Sequence, residues 1–68
     1  MNNKQLIEKV ESICAHRLVS DAHIGGKWII WNCDLSPQTM AKFIDRVKQQ
    51  TSQPAFFRGG RFGVLATE

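Results

Sequence analysis

Ala55-Phe56-Phe57-Arg58-Gly59-Gly60-Arg61-Phe62-Gly63-Val64-Leu65 is the stretch whose reading decides the fold. Aromatic and β-branched residues stand on both sides of a glycine pair. A two-residue hairpin loop of type I′ needs positive φ at both central positions, and glycine adopts it without steric cost. The stretch therefore predicts a β-hairpin. In that register Phe57 faces Phe62 and Ala55 faces Val64 on one side. Arg58 with Arg61, Phe56 with Gly63 and Pro54 with Leu65 occupy the other.

A second glycine pair stands in Ala22-His23-Ile24-Gly25-Gly26-Lys27-Trp28-Ile29-Ile30-Trp31. With Gly25-Gly26 as its loop, this segment pairs His23 with Trp28 and Asp21 with Ile30 on one face. Ile24 with Lys27, Ala22 with Ile29 and Ser20 with Trp31 fall on the opposite face. If the segment is instead a loop entering one strand, the order becomes α-β-α-β-β.

Each glycine segment follows a helical pattern. Leu6, Ile7, Val10, Ile13, Cys14 and Leu18 recur at spacings of three and four, which predicts an amphipathic helix over residues 3–18. Asn2 caps it, with Gln5 as the capping-box partner. Met40, Phe43, Ile44 and Val47 mark a second helix over residues 35–51, capped by Ser36 with Pro37 at its first position.

The glycine pairs lie 34 residues apart, and at that offset Leu6 falls on Met40, Val10 on Ile44 and Trp28 on Phe62. The chain reads as one α+β domain over residues 1–68, with αββ pseudo-repeats at 1–34 and 35–68. Its expected order is α-β-β-α-β-β, with two helices packed on one face of a small antiparallel sheet.

The totals agree with that architecture. Hydrophobic residues at 43% and charged residues at 22% describe a globular chain rather than a disordered one. A domain of 68 residues buries only about 60% of the surface its unfolded chain exposes, so oligomerisation is a natural source of added stability. The longest apolar runs, such as Trp28-Ile29-Ile30-Trp31, are far too short to span a membrane. The opening Met1-Asn2-Asn3-Lys4 lacks the apolar core of a secretory signal. Two cysteines make no disulfide scaffold, so Cys14 and Cys33 read as free, largely buried thiols in a reducing compartment. The expected location is the cytoplasm.

Chemistry-bearing patterns are weak. Cys14, His16, His23 and Cys33 follow no zinc spacing, and Cys14 and His16 point about 200° apart on a helix, so no metal site is expected. Cys33 lies far along the strand from His23. Ser20 points away from Asp21 and His23, leaving no oriented nucleophile and base. Arg58-Gly59-Gly60-Arg61-Phe62-Gly63 lacks the spacing of either phosphate-binding glycine motif. No cofactor and no catalytic residue is assigned, and the chain is expected not to be an enzyme.

Function is expected at the surface of the sheet. Both of its faces carry large apolar side chains, and two helices cover one. With the reverse assignment as the alternative, because nothing local fixes which face is inward, we expect the covered face to hold Phe57, Phe62, Val64, Trp28 and Ile30. The free face would then display Ile29, Trp31, Phe56 and Leu65, and large exposed apolar patches mark interaction sites. The reading is a non-enzymatic binding or regulatory module of the inhibitor or adaptor type, acting through protein contact. A homodimer or another protein would cover the free face.

The alternative is a nucleic-acid-binding domain. The formal net charge of +3 resides entirely in residues 35–68. The basic hairpin around Arg58-Gly59-Gly60-Arg61, with Lys27, Lys42, Arg46 and Lys48, would then meet phosphates and bases.

Overall fold

A computed structural model of the chain describes residues 2–15 and 17–67. The elements run α1 (Asn3–Cys14), β1 (His23–Gly25), β2 (Trp28–Asn32), α2 (Pro37–Thr51), β3 (Ala55–Arg58) and β4 (Arg61–Leu65). The expected α-β-β-α-β-β order is the one observed. All pairings are antiparallel and the strand order is β1-β2-β4-β3, so the two hairpins meet along β2 and β4.

Both helices start where the sequence places them. The Asn2 side chain accepts from the Gln5 N–H at 2.9 Å, and the Gln5 side chain accepts from the Asn2 N–H at 3.0 Å, a complete capping box. Ser36 caps α2, with Pro37 at the first turn. The end of α1 corrects the expected span of 3–18. Ala15 turns left-handed at φ 49°, and its N–H donates to the Glu11 carbonyl at 3.0 Å, which closes the helix after Cys14. Leu18 still packs against the core, from the loop. His16 lies outside the described residues.

The core lies between the helices and one face of the sheet. Leu6, Val10 and Cys14 of α1 and Met40 and Val47 of α2 meet Ile29, Trp31, Phe62 and Val64, all fully buried. Burying a side chain of this size stabilises by about 1.5–3 kcal/mol, so these nine residues dominate the fold's energy. The Trp31 and Phe62 rings lie 5.9 Å apart at the centre. The Trp31 indole N–H donates to the Glu11 carboxylate at 3.1 Å, joining β2 to α1.

The second hairpin adopts its expected register, Phe57 with Phe62 and Arg58 with Arg61, around Gly59 (φ 58°) and Gly60 (φ 76°). The first hairpin corrects the sequence reading by one position. Its turn is Gly26-Lys27, not Gly25-Gly26. His23 pairs with Ile30, Ile24 with Ile29 and Gly25 with Trp28. Gly26 alone takes positive φ, at 63°. Gly25 serves packing: a Cβ there would stand 2.7 Å from the Ile30 Cδ1.

The moved turn shifts the pairing by two residues, so His23, Trp28 and Ile30 still share one face and Ile24 and Ile29 the other. Ile29 and Trp31 point into the core beside Val64 and Phe62, and Trp28 and Ile30 point away from it, the reverse of the expected assignment. The reversal comes from the spacing of the inner strands. The helices begin 34 residues apart, at Asn3 and Pro37, whereas β2 and β4 begin 33 apart, at Trp28 and Arg61. Only the smaller offset places both inner strands with the same face inward.

Candidate binding surface

Strand alternation and the observed register define the face opposite the helices. It has three rows across the sheet. The first holds Asn32, Arg61 and Arg58; the second His23, Ile30, Gly63 and Phe56; the third Gly25, Trp28 and Leu65. Trp28, Ile30, Phe56 and Leu65 are half-buried, although among the described residues both helices pack on the other face. They shield one another. The Phe56 and Trp28 rings meet edge to face, with centroids 4.9 Å apart and planes at 89°. The contact depends on Gly63, where a Cβ would lie 2.2 Å from Phe56 Cε1. Ile30 leans over Gly25 in the same way. Two glycines thus let large side chains lie down across the sheet and form an apolar floor.

The polar row flanks that floor. Arg58 and Arg61 are directly opposed and exposed. Like charges at opposed positions repel. Among the described residues neither arginine has a carboxylate partner. None of the residues that the four strands turn to this face is acidic.

Of the residues expected to form the free face, Phe56 and Leu65 lie on it. Ile29 and Trp31 do not, being fully buried against the helices. Trp28 and Ile30 take their places. The sequence contains a signal for this: Trp28, Ile30 and polar Asn32 alternate with Ile29, Trp31 and Cys33. Cys33 is buried while Asn32 is exposed. Extending the alternation by two residues selects the inward set.

The six cations considered for nucleic acid do not gather into one stripe. Because β2 and β4 are antiparallel, the Gly26-Lys27 turn and the Gly59-Gly60 turn lie at opposite ends of the sheet. Lys27 is therefore remote from Arg58 and Arg61. Lys42, Arg46 and Lys48 belong to α2, which packs on the other face.

Elsewhere the chemistry is sparse. Among the described residues no three His, Cys, Asp or Glu side chains gather as a metal would require. Ser20 Oγ accepts from the Asn32 N–H at 2.9 Å and donates to the Asp21 carbonyl at 3.1 Å, so its hydroxyl serves the backbone. Cys14 and Cys33 are free and buried, as expected. Cys33 Sγ lies 3.4 Å from Met40 Sδ. Burial, with Cys33 nearby, pushes the Cys14 thiol up to about 11, away from the thiolate that a nucleophile requires. An open groove of about 740 Å³ runs beside α1, lined by Glu8, Glu11, Val19 and Asp21 among others. Its Glu11 already accepts the Trp31 indole.

No protein-family model, curated protein or solved structure matches the chain. Among the described residues no helix is long and apolar enough to cross a membrane.

Proposed function

We propose that the protein is a small non-enzymatic binding module, of the inhibitor or adaptor type, that acts by contact with another protein through its open sheet face. The observation that carries this reading is the apolar floor of Trp28, Ile30, Phe56 and Leu65, facing away from both helices. An apolar surface held flat by cross-strand packing is preorganised, so little side-chain entropy is lost on docking. Aromatic and arginine side chains together are also the usual anchors of protein interfaces.

The division of the cations favours protein over nucleic acid. A nucleic-acid site is best served by a continuous basic track, whereas Lys27 lies beside Trp28 at one end of the sheet and Arg58 and Arg61 at the other.

The test is affinity capture from the native host with the wild type and with Ile30→Asp. The variant puts a carboxylate at the centre of the floor and leaves the buried core untouched. A partner retained by the wild type and lost by a variant of unchanged circular dichroism supports the reading. Equal recovery by both proteins refutes it.

A further inference from the structure

We propose that the segment docking on this face is an acidic polypeptide, with carboxylates meeting Arg58 and Arg61 and apolar side chains lying on the Trp28–Phe56 floor. The inference rests on the reading of the open face as a binding surface and specifies the chemistry of its partner.

Charge complementarity carries it. Two guanidinium groups stand opposite one another without a carboxylate partner among the described residues. Asp34 follows Cys33, whose N–H donates to the Gly60 carbonyl of the same turn at 2.8 Å. Asp34 forms no ion pair with either arginine. Apposed arginines repel until an anion lies between them, and guanidinium forks match carboxylates in a bidentate manner. An acidic ligand therefore relieves a tension that the isolated domain retains.

The same observation separates this occupant from two others. A second copy docked face to face would bring another Arg58 and Arg61 and no strand-borne acid, leaving four cations to be desolvated together. A single-stranded nucleic acid would need ring faces for its bases. Here Trp28 and Phe56 are perpendicular to each other, so the two cannot offer parallel platforms. Aliphatic Ile30 and Leu65 complete the floor and suit Leu, Val or Phe side chains better than bases.

The deciding experiment is an NMR titration of the full chain with three probes. These are a twelve-residue peptide alternating Glu with Leu, its counterpart with Gln for Glu, and a twelve-nucleotide oligo-dT. The acidic peptide should shift the Trp28 indole and the Arg58 and Arg61 side-chain signals. The Gln peptide should bind roughly tenfold more weakly, the combined worth of two modest ion pairs. Arg58→Glu with Arg61→Glu should erase that preference and transfer it to a Lys-Leu peptide.

Equal binding of the Glu and Gln peptides at the floor would overturn the acidic partner while leaving the face a binding surface. So would oligo-dT binding there in place of the peptide, or Trp28 shifts that grow with protein concentration alone. Acidic-peptide shifts confined to other surfaces, or no shift at millimolar peptide, would also overturn it. The capture experiment with Ile30→Asp judges the face itself independently.

Discussion

Placing an alanine at Gly63 should destabilise the protein only while Phe56 is present. In the wild type a Cβ at this position would stand 2.2 Å from Phe56 Cε1 and 2.5 Å from Cζ. These atoms are the far end of a side chain, so the ring swings outward and the backbone stays. The displaced ring loses its edge contact with Trp28, worth about 0.5–1.5 kcal/mol, and about 1 kcal/mol of burial. Alanine in a strand returns about 0.5–1 kcal/mol, because glycine loses more backbone entropy on folding. The net loss is about 1 kcal/mol, which lowers Tm by roughly 4–8 °C for a domain of this size. A Phe56→Ala background removes the three atoms nearest to the new methyl, and Gly63→Ala should then raise stability by about 0.5–1 kcal/mol. Urea unfolding of the wild type, both single variants and the double variant measures the coupling, expected near 2 kcal/mol. An equal effect of Gly63→Ala in both backgrounds would refute the account of the floor.

Three further outcomes follow from the fold. Ala15 and Ser52 close the two helices in left-handed conformations, at φ 49° and 59°. Ala15→Gly and Ser52→Gly should each stabilise by about 0.5 kcal/mol, the relief of strain outweighing glycine's added unfolded-state entropy, and thermal melts will read the gain. Glu11→Ala removes the acceptor of the Trp31 indole and should lower stability by about 1 kcal/mol in urea, with Glu11→Gln losing less. The Cys14 thiol, at about 11 against an ordinary 9.0, holds its proton longer in the folded chain than in the unfolded one. Its contribution is full below pH 9 and declines as pH rises toward 11. Urea midpoints between pH 8 and pH 11 should therefore fall more steeply for the wild type than for Cys14→Ala.

Local rules read most of this architecture from the chain. Ser36-Pro37 and the Asn2/Gln5 box fixed the helix starts, because caps are satisfied within four residues. Arg58-Gly59-Gly60-Arg61 fixed the second hairpin, because both loop positions take positive φ and both are glycine. The first hairpin misled for a physical reason. Gly25 and Gly26 look alike in sequence, but one makes the turn and the other makes room for Ile30. Only tertiary packing separates these uses. The face of Ile29 and Trp31 has another cause: an offset of 34 sets Trp28 on Phe62, whereas the inner strands begin 33 apart. The end of α1 was hidden as well. Leu18 continues the apolar spacing, yet reaches the core from a loop after a left-handed alanine that no sequence rule favours. Phe56 and Leu65 are legible because the glycine pair at 59–60 sets the register that places them on one face. The separation of Lys27 from Arg58 and Arg61 was not, since it depends on how the two hairpins join.

The junction of β2 with β4 is where the chain's two halves become one molecule. Each half supplies one helix and one inner strand to a shared interior, so neither retains a complete apolar layer when separated. Severing the backbone between Asp34 and Leu35 should give two peptides, each largely unstructured alone, that recover helix and sheet when mixed. Their thermal midpoint would then climb with total peptide concentration, as for a bimolecular complex.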